Sequence, residues 1–306
     1  MAHPRFGVEY TFVHPRYDED RYFYRDAVDK LQKIAPKTFR LAHVDGMDDG
    51  HHLEVPSPPH SSLEEAKEFY DRMVGIVSSY GKYGLVARRV DRLASGDVYY
   101  GTGGGHVHVE LPRNPVLRRR VMLCLVKMTA NRPWLNWVFN EFMDDHNANA
   151  LAGRESVLKL MQGESKLSDH CSGFMCDTFM KEDVDPREQA LFDLVGSNRS
   201  IAFKRWSRNV VTVEFRVFDA PRSWEQARKQ IEFALRFYEL ALQRVKDDVK
   251  VDSFVSKPSQ LRAMKARRRV LKEFRETVRD LGLRWADYRR YMVNYDDRKR
   301  SRVALS

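Results

Sequence analysis

Two stretches of this 306-residue chain alternate with period two and carry all their chemistry on one side: GHVHVE from Gly105 and VVTVEFRVF from Val210. Successive side chains of an extended strand face opposite ways, so each stretch turns aliphatic or aromatic residues to one layer and polar ones to the other. In the first, His106, His108 and Glu110 share a face and Val107 and Val109 face a core. In the second, Thr212, Glu214 and Arg216 stand opposite Val211, Val213, Phe215 and Val217. Half-burial of a strand does not by itself call for three metal-capable side chains on one face. If the polar face of the second strand is internal, Glu214 and Arg216 need partners, because unpaired buried charges cost several kcal/mol. A metal ion and a phosphate would satisfy both.

The remaining pattern supplies more strands and the helices to cover them. Phe6 to Val13 alternates over β-prone residues, and short strands are expected at Thr38–Val44 and His51–Val55, separated by the Asp- and Gly-rich turn VDGMDDG and closed by PSPP. Gly84–Arg92 and Asp97–Tyr100 are further strand candidates, and Gly101–Gly105 reads as a turn feeding the His106–Leu111 strand. Ile201–Trp206 and Val210–Phe218 form a hairpin-like pair. Helices are expected over Asp18–Ala35, from Ser62 to about Tyr80 behind a Ser-x-x-Glu capping box, from Pro115 to Pro133, onward through Met143, and over Trp224–Val245. Strands that arrive in adjacent runs, not in strict alternation with helices, predict an α+β fold with an antiparallel or mixed sheet packed by helices.

Charge is distributed unevenly. The chain is +10 overall, and Val251–Ser306 holds 16 basic and 7 acidic residues, a surplus of 9, so almost all the net charge lies in the last fifty-odd residues. There Leu261, Met264, Leu271, Phe274 and Val278 recur at helical spacing among arginines. The tail therefore predicts a basic helical segment, 251–306, appended to a main domain of residues 1–250. Two readings fit it: a surface helix packed by its apolar stripe, with solvated arginines that recognise nothing, or a nucleic-acid contact held by salt-sensitive charge attraction, since no helix-turn-helix, RRM or zinc-finger signature is present. Three cysteines are too few for a disulfide framework. The N-terminus meets a carboxylate before any signal-like apolar run, and the most apolar helical stretch is about half the ~20 residues of a bilayer crossing, so a cytoplasmic protein is expected.

Candidate ligands are scattered along the strands: Glu9, Glu54, His106 and Glu214 together could surround hard divalent cations such as Mg²⁺ or Mn²⁺. The glycines before His106 are not a phosphate-binding Walker loop, because no GK[ST] follows. A nucleotide would have to be held by metal and arginines.

Four segments, in order, resemble the carboxylate-amine ligase superfamily of glutamine synthetase, glutamate-cysteine ligase and the amidoligases: GVEYTF, HLEVPSPP preceded by VDGMDDG, GGHVHVE, and NRSIAFKRW followed by VTVEFRVFDAP. They span Gly7 to Pro221. The resemblance implies a sheet funnel of the glutamine synthetase catalytic type, ATP and Mg²⁺ or Mn²⁺ as cofactors, and amide formation through an acyl phosphate. By position it makes Glu9, His106 and Glu214 ligands of the metal that binds ATP phosphates, and Glu54 a ligand of a companion metal near the acceptor. It sets His108 near the nucleotide phosphates, and Arg199, Arg205 and Arg216 on the γ-phosphate and transferred phosphoryl group, with Lys204 competing with Arg205 for one place. Glu110 is the candidate base for the attacking amine. Thr11 stands where the family usually has a second carboxylate, and a hydroxyl is a poor substitute ligand for Mg²⁺.

Substrates implied by the resemblance are a small-molecule or peptide carboxylate and an amine, or a macromolecule-borne acceptor. Two other classes make distinct predictions. A noncatalytic nucleic-acid-associated or virion-associated protein would use the basic tail and turn over no nucleotide. A zinc hydrolase built on His106 and His108 would work without ATP and leave the arginine-bearing hairpin unexplained.

Overall fold

The computed structural model describes residues 4–12, 42–46, 50–79, 105–130, 135–139, 201–207, 209–218, 223–249 and 267–289, together with positions 33, 132, 188, 191, 192, 221 and 291. Six strands are present among them: β1 (Phe6–Phe12), β2 (Ala42–Gly46), β3 (Gly50–Pro56), β4 (Gly105–Glu110), β5 (Ile201–Ser207) and β6 (Val210–Phe215). The helices are α1 (Leu63–Ser79), α2 (Pro115–Ala130), α3 (Leu135–Phe139), α4 (Trp224–Lys246), α5 (Arg267–Asp280) and α6 (Trp285–Tyr288). Neighbouring strands are hydrogen-bonded in the order β2-β3-β1-β4-β6-β5. The pairs β1–β3, β1–β4, β2–β3 and β5–β6 run antiparallel. The class is α+β. None of the helices among the described residues is long and apolar enough to cross a membrane.

The chain divides into two compact units, one of residues 1–109 and 217–232 and the other of 110–216 and 233–306. In the first, β1 turns Phe6, Val8 and Tyr10 into the core, each no more than 2% exposed. Tyr10 meets α1 there, packing edge-on against Tyr70 at 5.8 Å between ring centres. Ser62 caps α1 by accepting from Glu65 N–H at 3.2 Å, and the Glu65 carboxylate accepts from Ser61 N–H at 2.6 Å, so the capping box closes one residue earlier than its usual form. PSPP does more than end a strand. Ser57 N–H donates to the Val8 carbonyl at 2.8 Å, and its Oγ accepts from Val8 N–H at 2.8 Å and donates to the Pro58 carbonyl. The chain then returns to β1 at His60, whose backbone exchanges two hydrogen bonds with Phe6. Prolines have no N–H, so Ser57 and His60 complete the ladder where Pro58 and Pro59 cannot.

The second unit is built on aromatic packing. Phe139 touches Phe233, Phe274 and Tyr291 at 4.6, 5.6 and 4.9 Å between ring centres. Phe215 from β6 meets Phe237 at 5.9 Å. Helix α5 belongs to this core: Val270, Phe274 and Val278 are fully buried, and Arg132 Nε donates to Thr277 Oγ1 at 3.1 Å.

Two boundaries differ from the sequence reading. The Asp- and Gly-rich run VDGMDDG is not all turn, because β2 continues through Gly46 and β3 begins at Gly50, with those two glycines paired. Ladder pairing there outweighs the turn preference of Asp and Gly. Gly105 likewise opens β4 as the partner of Tyr10. The expected strands at 84–92 and 97–100 lie outside the described residues, as does the helix over 18–35 except for helical Lys33.

Candidate metal and phosphate site

Register does most of the positioning in the first unit. Glu9 is the cross-strand partner of His106, and Gly7 that of His108, so the two imidazoles and the Glu9 carboxylate occupy the side of β1–β4 opposite its core face. The imidazole His106 Nδ1 lies 3.1 Å from Glu9 Oε1, and His108 Nε2 lies 3.7 Å from Glu9 Oε2. Both histidines are 7% exposed. That face of β4 is therefore covered at the histidines, while Val107 and Val109 are buried on the other side. A Cβ at Gly7, opposite His108, would meet only Ser57 Oγ at 3.5 Å, an ordinary contact. One residue pair further along, Thr11 is the partner of Glu54.

In the second unit every residue from Val211 to Phe215 is buried, so the Thr212–Glu214 face is internal and the Glu214 charge needs partners. Glu214, 1% exposed, has two: Arg216 Nη1 donates to its Oε1, and Lys204 Nζ lies 3.4 Å from its Oε2. Thr212 Oγ1 accepts from the indole N–H of Trp206 at 3.0 Å, and Trp206, 62% exposed, forms the outer edge of this row. The row Ala202, Lys204, Trp206 on β5 faces it, because the register pairs Ala202 with Glu214 and Lys204 with Thr212.

Arg205 points the other way. Its Nη2 lies 3.4 Å from Glu188 Oε1, and its guanidinium covers the Phe192 ring at 5.4 Å. Glu188 is itself held by Arg118, whose Nε and Nη2 donate to its two oxygens at 2.6 and 3.0 Å. Adjacent residues of a strand cannot share a face, so Lys204 and Arg205 cannot both reach Glu214, and it is Lys204 that does. Glu110, at the end of β4, lies 3.6 Å from Arg113 Nε. Arg199 lies outside the described residues. Sequence reasoning did not find the Arg118–Glu188 pair. An arginine at the buried position of an apolar helix was the available signal.

Chemically, the first unit offers a half-covered carboxylate between two imidazoles, and the second a buried carboxylate flanked by an ammonium and a guanidinium fork. The former can ligate a cation, and the latter can exchange its internal ion pairs for a phosphate.

No protein-family model matches this chain, and no curated protein does. Among solved structures it is similar to the crystal structure of the complex between prokaryotic ubiquitin-like protein Pup and its ligase PafA, with a TM-score of 0.36 and 12% sequence identity. That match covers 99% of this chain and 66% of the other, so this chain spans a little under two thirds of its length.

Proposed function

We propose that the chain is an ATP-dependent carboxylate-amine ligase on a glutamine synthetase-type sheet, with Glu9, His106 and Glu214 holding a divalent cation. One observation carries this reading: on one covered strand face Glu9 Oε1 lies 3.1 Å from His106 Nδ1 and Glu9 Oε2 lies 3.7 Å from His108 Nε2, a carboxylate and two imidazoles close enough to share a cation. The two carboxylates and one imidazole of the proposed set suit Mg²⁺ or Mn²⁺ better than the thiolate- or histidine-rich sets typical of zinc. Such an ion, when bound, neutralises phosphate oxygens. His108, paired to the same Glu9, then lies near the nucleotide phosphates, and Glu54 serves a companion ion that Thr11 supports only weakly.

Arg216 and Lys204, already drawn to Glu214, are the cations that would turn to the γ-phosphate, with Arg199 as a third. Arg205 is committed to Glu188, so Lys204 takes the contested place. A substrate carboxylate attacks the γ-phosphorus and ADP leaves. An amine, losing its proton to Glu110, then attacks the acyl carbon and phosphate leaves. Charge neutralisation by groups already in place is what this chemistry needs from the protein.

The test is ADP release with Mg²⁺ or Mn²⁺ across a pooled panel of amino acids, peptides and amines, read beside thermal stabilisation by Mg-ATP. The native protein should gain several degrees with Mg-ATP and release ADP only with a carboxylate and amine present. Glu214→Gln should lose both. Arg216→Lys, which keeps the charge and loses the fork, should keep metal stabilisation and lose turnover. Absence of any Mg-ATP stabilisation at millimolar concentration would sink the reading, as would tightly bound zinc with hydrolysis that ignores ATP.

A further inference from the structure

Helix α5 carries a cationic stripe that its packing does not use. Arg268, Lys272, Arg275 and Arg279 follow one another at helical spacing, all four side chains are exposed, and together they line an open groove of about 710 Å³. The opposite face of the helix is fixed in the core through Val270, Phe274 and Val278. Little internal charge answers the stripe. Lys272 is 4.0 Å from Glu276, Arg279 is 3.2 Å from Asp280, and Arg268 and Arg275 make no ion pair with a described residue. The groove also has an apolar floor of Leu271, Leu283 and the half-buried Trp285, whose ring is held edge-on by Phe274 at 5.4 Å.

We propose that this groove binds single-stranded nucleic acid, the cations following its phosphates and Trp285 receiving a base. Three of the four cations are arginines, whose forks suit phosphate, and they extend over about 16 Å at 1.5 Å per helical residue. At the ~3.4 Å phosphate spacing of a stacked strand, that length matches four or five phosphates. An acidic peptide would satisfy the charge but has no use for a rigid indole set among guanidinium groups, whereas every base has a face that stacks on one. The inference is independent of the proposed ligase chemistry, because no residue is shared with it.

Fluorescence anisotropy of the full-length protein with a labelled oligothymidylate of roughly 12 nucleotides tests it. Single strands lose affinity with salt at a slope of about −0.7 per neutralised phosphate, so four contacts predict a log–log slope near −3. Arg268→Ser with Arg275→Ser should halve that slope and weaken low-salt binding by roughly tenfold or more. Arg236→Ser with Arg284→Ser removes the same charge outside the groove and should change binding less than about twofold. Trp285→Phe, which keeps an aromatic ring against Phe274, should weaken binding several-fold and leave the salt slope unchanged. All these side chains are exposed or conservatively replaced, and unchanged circular dichroism and melting temperature confirm that the variants are folded. Equal losses in the two double variants, equal affinity for a polyglutamate peptide of matching charge, tighter binding of duplex than of single strand, or no binding at low salt would each overturn the proposal.

Discussion

Replacing Glu188 by Gln should destabilise the protein by about 3–5 kcal/mol, although the side chain keeps its size. Glu188 is 2% exposed and Arg118 5%, so neither group has water to fall back on. The carboxylate accepts two charge-assisted hydrogen bonds from Arg118, at 2.6 and 3.0 Å, and stands 3.4 Å from Arg205. Neutralising it removes bonds worth about 1.5–3 kcal/mol each and leaves two guanidinium groups facing one another with no anion between them. An amide oxygen can recover one of those bonds, which brings the expected loss down to the range given. With a urea m-value of about 3 kcal/mol/M, the upper end for small proteins, the midpoint should fall by roughly 1–1.7 M. The double variant Arg118→Met with Glu188→Leu separates pairing from burial. Arg205 is partly exposed and stacks on Phe192, so it can turn to solvent, and the double variant should be more stable than Glu188→Gln alone. A single-variant loss under about 1 kcal/mol, or a double-variant loss equal to the sum of the two singles, would refute this account of the cluster.

His60 supplies a pH test. Its ring is 4% exposed between Phe6 and Phe69, its Nε2 has no hydrogen-bond partner, and burial holds its pKa below the usual imidazole value. The folded state therefore favours the neutral ring while the unfolded chain protonates near pH 6.5, so this contribution is complete above that pH and is lost as pH falls toward the lowered folded value. Urea midpoints at pH 7.5 and 5.5 should show a larger acid loss for the native protein than for His60→Phe, and equal losses would refute the assignment. Ser57→Ala should cost about 1–2 kcal/mol by leaving Val8 N–H unsatisfied, measured by chemical denaturation. Gly7→Ala should shift stability by less than about 1 kcal/mol, since its Cβ meets only an ordinary contact. Ser62→Ala should cost about 1 kcal/mol through the lost cap of α1.

What could be read from the sequence was whatever had a period or a local rule. The alternation of GHVHVE and VVTVEF specified two strands with the right faces, and Ser62 with Glu65 marked the start of α1. The pairing of Glu9 with His106 needed the register of β1 against β4, for which no local pattern exists across a sequence separation of 97 residues. Three successive arginines in α2 look alike in sequence, yet Arg118 turns inward to Glu188 while Arg120 reaches Asp248 at the surface. At about 100° per residue a helix gives neighbours different fates, and only the position of the core decides which one is buried. The choice between Lys204 and Arg205 was a one-residue ambiguity in an ungapped comparison. The β5–β6 register, with Ala202 against Glu214, puts Lys204 and not Arg205 beside that carboxylate.

The exposed indole of Trp206, tethered through its N–H to Thr212 on the Glu214 face, gives the molecule a built-in optical reporter. Its emission should respond when the charge balance around Lys204 and Arg216 is altered, so occupancy beside β6 can be followed in unlabelled protein by comparing native and Trp206→Phe spectra.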